Sequence, residues 1–339
     1  SRGLGDVYKR QLWVFWRRKW EKEKMKKIFK RILKFFIETS VVILMTYVVF
    51  SAGEYLKAKK DAEKGQNNSV QQIDNNEQKE QEKEQPAQEK KKMSKIELDE
   101  AMNNIISKYQ GNNEIGVVYK NFSTGYRYAV NDDKYFTAAS TVKVAYAMKV
   151  YDRIKKGELS EDTDIPYNSS DLEEGAGDIT NKSKKSSYKL DYVIQNMIQY
   201  SDNTATKMIV GSASSAQTTL INYFAELGVT LPAKEAKNNR VTPKMMEAVW
   251  TKLYNERDSY TKLLEYLENS EDSEWIKKGI PNKKVASKYG GISTYMHDTA
   301  IVFGNEDYML LIYTNNLSHS GDSIAKMAKS INELTDSNM

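Results

Sequence analysis

Ser140 and Lys143 stand three residues apart in Phe136-Thr137-Ala138-Ala139-Ser140-Thr141-Val142-Lys143-Val144-Ala145-Tyr146-Ala147-Met148, the opening of an apolar helical pattern. Residues i and i+3 share one helix face, so the hydroxyl and the amine can meet. Lys143 is flanked by Val142, Val144, Ala145 and Ala147. An ammonium in such surroundings is poorly solvated, its pKa falls, and it becomes a proton acceptor. The positive end of the helix would stabilise an alkoxide or oxyanion developing at Ser140. Taken alone, the pair also fits a core helix whose lysine snorkels to solvent.

Two further stretches bear on the choice. Tyr200-Ser201-Asp202-Asn203 falls between two helical patterns and by itself reads as a helix N-cap. Lys288-Tyr289-Gly290-Gly291 closes a strand pattern and by itself reads as a strand end with a turn. Other chemistries find less support. The chain has no cysteine, which removes disulfides, thiolate metal sites and cysteine nucleophiles. With only two histidines, His297 and His319, a histidine-rich metal centre is excluded. A Ser-His-Asp triad would need one of them, but no G-x-S-x-G elbow occurs. His297-Asp298 reads as a structural pair at a strand start, and Asp171, Glu173 and Glu174 as a solvated acidic loop. Lys and Arg total 51 against 46 acidic residues, and much of that small excess precedes residue 35. No zinc-finger or RNA-binding motif accompanies it, so no nucleic-acid partner is expected.

The elements that must hold these residues follow from periodicity. Ile96, Leu98, Met102, Ile105 and Ile106 mark an amphipathic helix reaching Tyr109. Ile115–Tyr119 and Tyr126–Val130 form a hairpin about Ser123-Thr124-Gly125. The helix opened by Ser140 ends near Gly157, and further helices are expected over Tyr188–Gln199, Thr204–Val210, Thr218–Leu227 and Pro243–Tyr254. Val285–Tyr289, His297–Phe303 and Tyr308–Tyr313 read as strands, and Ile324, Met327, Ala328, Ile331 and Leu334 as a closing helix. The fold class is α+β: one antiparallel sheet covered by the N- and C-terminal helices, with an all-helical subdomain inserted.

This domain is expected over residues 96–339, and the segments before it differ in character. Residues 1–11 resemble translated adapter sequence and are left out of the fold reading. Residues 12–34 are a basic cytoplasmic segment, with Met25 a candidate natural start. Residues 35–56 carry an uncharged centre from Thr39 to Gly53 and reach the roughly 20 residues that a membrane-spanning helix needs. The basic flank before Phe35 places the following domain outside the cell on a signal-anchor, with secretion after signal cleavage as the alternative. Residues 57–95, rich in Gln, Glu, Lys and Asn, read as a disordered tether.

S-x-x-K opening a helix, S-D-N between helices and K-x-G ending a strand occur here in one order and in matching contexts. Over Ile96 to Leu334 the chain thereby resembles the class A β-lactamases and penicillin-binding enzymes, with Thr242-Pro243 before a helix as a further point of likeness. The resemblance implies that Ser140 is acylated and that Lys143 takes its proton, directly or through water. Ser201 would pass a proton to the leaving nitrogen, Asn203 would hold the substrate's side-chain amide, and Lys288 would supply positive charge toward the substrate carboxylate. Tyr289, Gly290 and Gly291 would line the substrate site, with the backbone N–H groups of Ser140 and Gly291 as oxyanion hole. It implies a monomer with no cofactor and no metal, acting on β-lactams or D-alanyl peptides. Alternatives are a D,D-peptidase-like enzyme with slow β-lactam turnover, or a module that has lost catalysis and only binds cell-wall material.

The sequence departs from that family twice. Tyr289 stands where a Thr or Ser hydroxyl would help bind the substrate carboxylate, which bears on pocket shape. The glutamate that activates the deacylating water opens an E-x-x-x-N pattern, for which Glu235 and Asn239 are the candidates. Asn239 lies close to Thr242, and Lys234-Glu235-Ala236-Lys237 is expected to be an exposed charged turn. Losing that base leaves acylation intact and makes hydrolysis slow.

Overall fold

The computed structural model describes residues 92–111, 113–271 and 275–338. The segments read as 1–11, 12–34 and 35–56, and nearly all of 57–95, lie outside the described residues. Among the described residues no helix is long and apolar enough to cross a membrane.

Helix α1 (Lys95–Gln110) begins one residue before the expected boundary because Ser94 caps it. The Glu97 N–H donates to Ser94 Oγ at 3.4 Å, and the Ser94 N–H donates to the Glu97 carboxylate at 2.7 Å. The hairpin follows as β1 (Glu114–Asn121) and β2 (Arg127–Val130). Three long strands, β7 (Lys284–Ile292), β8 (Tyr295–Phe303) and β9 (Tyr308–Asn315), complete an antiparallel sheet in the order β2-β1-β9-β8-β7. Most positions of these strands are buried because both sheet faces are covered, β9 being apolar along most of its length while β7 and β8 also bury Lys288, His297 and Asp298. Val117, Leu310 and Ile312 face α1 and the closing helix α9 (Ser320–Asn338), where Met102, Ile106, Ile324, Met327 and Ile331 are buried. Their neighbours Val118, Leu311 and Tyr313 face the other way. Each fully buried large apolar side chain contributes about 1.5–3 kcal/mol.

The second face receives the inserted helices. The short strand β3 (Phe136–Thr137) leads into a 3₁₀ turn over Ala139–Val142, which runs directly into α2 (Lys143–Lys155). Ser140 therefore sits in a 3₁₀ turn ahead of the α-helix rather than within it. After a small two-stranded sheet of β4 (Asp164–Pro166) and β5 (Ser187–Lys189) come α3 (Leu190–Gln199), α4 (Asn203–Val210) and α5 (Ala213–Glu226). The Lys234–Lys237 stretch is a short helix, α6 (Ala233–Lys237), with Ala236 buried. Lys234 and Lys237 are exposed, as the charged composition suggested, but the stretch is a helical turn that buries Ala236, and the strand just beyond it pairs with β3. The strand β6 (Arg240–Val241) pairs with Thr137 and Phe136, and Thr242 then caps α7 (Pro243–Asn255), its Oγ1 accepting from Met245 N–H at 3.1 Å. Sequence reading missed α8 (Thr261–Glu268), although Leu263, Leu264 and Leu267 bury one face of it.

His297 and Asp298 are neighbours on β8 but not a pair, since successive strand residues point to opposite faces. Asp298 Oδ2 accepts the Ile276 N–H at 2.9 Å. His297 Nδ1 accepts the Thr314 N–H at 3.0 Å, which leaves its proton on Nε2 to donate to the Thr137 carbonyl at 2.7 Å. One neutral ring thus ties β8 and β9 to the strand that carries the chain to Ser140. Burial lowers its pKa from 6.5 to about 4, against the hydrogen bonds to backbone. Between those two values the unfolded chain binds the extra proton, so stability falls as pH drops from about 6.5 toward 4. From pH 7 to pH 5 urea unfolding should lose about 2 kcal/mol through this residue, and His297→Gln should remove that part of the slope. An identical pH dependence in both proteins would contradict the assignment.

Candidate active site

The turn bearing Ser140 is fixed from below. Thr141 is fully buried, donates its hydroxyl to the Ala138 carbonyl at 2.8 Å, and accepts from the Tyr313 hydroxyl of β9 at 3.1 Å. Ala139, immediately before the serine, has φ +50°. A side-chain-bearing residue is strained there and persists only where its surroundings over-determine it. Asn239 does part of this, donating Nδ2 to the Ala139 carbonyl at 3.3 Å while its own carbonyl accepts the Ala138 N–H at 2.7 Å. The other constraint is Gly290 of β7. A methyl group at that position would lie 2.8 Å from the Ser140 nitrogen and 2.9 Å from the Ala138 oxygen, so the strand backbone can approach only without a side chain.

Lys143, on the first turn of α2, is 4% exposed. Its Nζ donates to the Ser201 carbonyl at 2.7 Å and to Asn203 Oδ1 at 2.8 Å, with Ser201 Oγ at 3.4 Å. Burial lowers its pKa from 10.5 to about 7, while the Asp202 charge pulls the other way. A neutral amine has two N–H donors and one lone pair. In the neutral amine the two short bonds would take both donors, with Ser201 Oγ and the Asp202 carbonyl at 3.5 Å as the longer contacts, and the lone pair would accept a proton.

Ser201-Asp202-Asn203 is held just as firmly. Ser201 has φ +56°, a second strained position at the site. Asp202 is fully buried and caps α4. Its carboxylate accepts from the Ala205 N–H at 2.8 Å, the Thr180 N–H at 2.9 Å and the Thr180 hydroxyl at 2.8 Å. The N-cap reading of this motif is therefore correct for Asp202, while its neighbours on both sides contact Lys143. Asn203 donates Nδ2 to the Glu174 carbonyl at 2.8 Å. Gly175 lies so close that a methyl there would stand 2.4 Å from that nitrogen. Glu173 and Glu174 themselves are exposed, with Glu173 paired to Lys207 at 3.3 Å.

Ser140, Lys143, Asn203 and Gly291 line one cleft of about 390 Å³. Among the described residues that line it there is no Asp or Glu. A larger open groove of about 920 Å³ between α2, α5 and α7 contains none of the motif residues. The smaller cleft is the candidate site because convergent polar groups, not volume, mark a reactive pocket. Sequence reading did not find Lys237 of α6 or Ile292 of β7 on its wall, since neither belongs to a motif.

Five of the sequence-derived residues do not line the cleft: Ser201 adjoins it with Oγ 3.4 Å from Lys143 Nζ, Gly290 packs against the Ser140 turn, and Lys288, Tyr289 and Glu235 lie elsewhere. Lys288 has no exposed surface, and its ammonium lies 4.3 Å from the centroid of the Tyr289 ring. Tyr289 turns to the opposite sheet face and meets Trp275 edge-on at 5.6 Å. Tyr289 is not on the cleft wall, so the phenol does not reshape the cleft as its size had suggested. Glu235 is only 14% exposed and forms an ion pair with Arg240, Oε2 to Nη1 3.1 Å, without hydrogen-bond alignment. Arg240 in turn donates to the Tyr135 carbonyl at 3.0 Å. The residues of α6 that face the cleft are Ala236 and Lys237.

The architecture is that of solved β-lactamase-like structures. PBP-A aligns with a TM-score of 0.63 at 20% identity, covering 71% of this chain and 97% of that one. The β-lactamase of Sphaerobacter thermophilus DSM 20745 gives 0.62 at 20% identity, covering 70% and 97%. The class A β-lactamase of the last common ancestor of Gram-negative bacteria gives 0.61 at 21% identity, covering 70% and 99%. A model of the β-lactamase enzyme family matches residues 97–335, which takes in Ser140, Lys143, Ser201, Asn203 and the Lys288–Gly291 strand end. The chain belongs to the β-lactamase enzyme family.

Proposed function

We propose that this protein is a serine hydrolase that forms an acyl-enzyme with β-lactams and releases it slowly. The observation that carries this reading is the buried Lys143, one turn from Ser140, held by the Ser201 carbonyl and Asn203 Oδ1 where desolvation favours the neutral amine. Ser140 Oγ attacks the lactam carbonyl carbon while Lys143 takes the hydroxyl proton. The C–N bond breaks, and the nitrogen leaves with a proton relayed through the Ser201 hydroxyl. The backbone N–H groups of Ser140 and Gly291 are assigned to the carbonyl oxygen, where negative charge develops. Asn203 is assigned to the substrate amide. Lys288 is assigned to the substrate carboxylate by its motif alone, since its buried ammonium lies against the Tyr289 ring and does not line the cleft.

Hydrolysis needs a second base to take a proton from water as the Ser140 ester breaks. Glu235 is engaged by Arg240, and no carboxylate lines the cleft among the described residues. That supports slow deacylation and keeps a D,D-peptidase acting on D-alanyl peptides as the second reading. The basic flank before Phe35 and the charged tether after Leu56 support an exported, membrane-anchored enzyme with its catalytic domain outside the cell.

Incubation with a penicillin should give a single covalent adduct by intact mass, absent in Ser140→Ala. Its rate of formation should rise with pH through a midpoint near 7, because only neutral Lys143 accepts the proton. Lys143→Ala should slow it by about 10²–10⁴-fold and abolish that limb. A rate independent of pH between 5 and 9, or a Lys143→Ala variant acylated as fast as the parent, would contradict the role of the lysine.

A chromogenic cephalosporin should give a stoichiometric burst followed by slow turnover. Glu235→Gln should leave the slow phase within about twofold of the parent, since removing a working general base costs about 10²–10⁴-fold. Fast steady turnover that collapses in Glu235→Gln would restore the glutamate as deacylating base.

A further inference from the structure

Lys143 and the acid beside it do not pair. Ser201 and Asn203 hold the lysine and Asp202 stands between them in the chain, yet Nζ meets only the Asp202 carbonyl, at 3.5 Å. The carboxylate is engaged elsewhere. Its Oδ1 accepts the Thr180 hydroxyl and the Ala205 N–H, both at 2.8 Å, and its Oδ2 accepts the Thr180 N–H at 2.9 Å. Capping α4 needs only the Ala205 N–H. The other two donors come from Thr180, a buried residue of the short helical turn Asp178–Asn181 that belongs to no motif and does not line the cleft. An ionised carboxylate only accepts, so the Thr180 proton points at Asp202. The Thr180 oxygen in turn accepts the Thr204 N–H at 3.2 Å and lies 2.9 Å from the Thr204 hydroxyl, which fixes its rotamer. Gly177, just before this turn, lies so close to the Asp202 side chain that any Cβ there would overlap it.

We propose that Thr180 is a positioning residue for the base: it holds the Asp202 carboxylate away from Lys143 and so keeps it from pairing with the amine that accepts the Ser140 proton. The inference rests on the role given to Lys143 above. A carboxylate free to approach an ammonium stabilises the charged form, whereas donors aimed at the carboxylate offset its field. The other groups around the lysine do not take over this part. Lys237 of α6 is exposed on the cleft wall, Lys288 of β7 lies against the Tyr289 ring, and burial pushes the Tyr146 phenol up and keeps it neutral. Glu173 pairs with Lys207, and Glu174 is exposed. Around Thr180 itself, Lys184 donates to its carbonyl at 2.8 Å and Asp178 pairs with Lys182. Asp202 is the one charge that acts appreciably on the lysine, and it acts against desolvation.

The test reads the pH profile of second-order acylation by a penicillin, followed by intact mass, in wild type and three variants. Thr180→Val keeps the shape and the backbone N–H but loses the hydroxyl. Its midpoint should move up by about half a pH unit or more, with the rate at the high-pH limit within about twofold of wild type. Thr180→Ser keeps the donor and should hold the midpoint within about 0.2 of wild type. Asp202→Asn removes the charge and should move the midpoint down, which keeps the proposal testable if valine disturbs folding. A midpoint that stays or falls in Thr180→Val, or that stays or rises in Asp202→Asn, would overturn the proposal. A loss of rate at every pH with the midpoint fixed is the signature of a merely structural role. These results leave the lysine's role standing, whereas a wild-type rate with no pH limb would overturn that role and this inference together.

Discussion

Burial of a single ammonium is the constraint on which the site depends. Lys143 is inserted between α2 and the Ser201–Asn203 turn with almost no water left to it. The fall of its pKa from 10.5 to about 7 corresponds to about 5 kcal/mol of destabilised charge. The unfolded chain holds the proton throughout that interval, so the lysine opposes folding at pH 7 and does so less as pH rises toward 10.5. Val144, Ala145, Ala147 and Met148, all buried on the same helix, supply part of the packing that offsets it. The energy spent on desolvation is what converts a common surface cation into a base that works near neutral pH.

The backbone around this lysine is strained where it matters. Ala139, Ser201 and Asn239 all have positive φ, and each stands on a different loop of the site. Such conformations cost about 1–3 kcal/mol apiece and survive only under cross-bracing. Asn239 braces Ala139, Asp202 braces the Ser201 turn through three hydrogen bonds, and His297 braces the strand before the serine. Gly290 lets the edge of the sheet close against the Ser140 turn. The site is thus built by backbone approach as much as by side chains, which fits a reaction whose developing charge falls on N–H donors.

Much of this was legible in the chain. Period-two and period-3.6 patterns located the sheet and most helices to within a few residues, because strands covered on both faces and helices with one buried face leave strong signals. The three motifs were legible for a different reason, since Ser140, Lys143, Ser201 and Asn203 are brought together by the elements that the same patterns define. What failed did so where tertiary contacts outweigh local composition. The charged Lys234–Lys237 stretch is a helical turn that buries Ala236 while its lysines stay exposed. Tyr289 is harmless to the cleft because strand alternation sends it to the other face, a matter of register that residue size does not reveal. Glu235 had the right spacing for a base, but its neighbour Arg240 decides where the carboxylate goes. The wall of the cleft away from the motifs, including Tyr146, Gln217 and Leu220, carries no motif and emerges only when the helices converge.

The central claim is that Lys143 is neutral for a large part of the time near pH 7 in the free enzyme. Its titration is measured most directly by labelling lysine side chains with ¹³C at Cε and following the Lys143 signal, assigned by its loss in Lys143→Met, across the pH range. The account predicts a midpoint near 7. A midpoint near the ordinary lysine value of about 10.4 would contradict it, because the ammonium would then be solvated and unable to deprotonate Ser140.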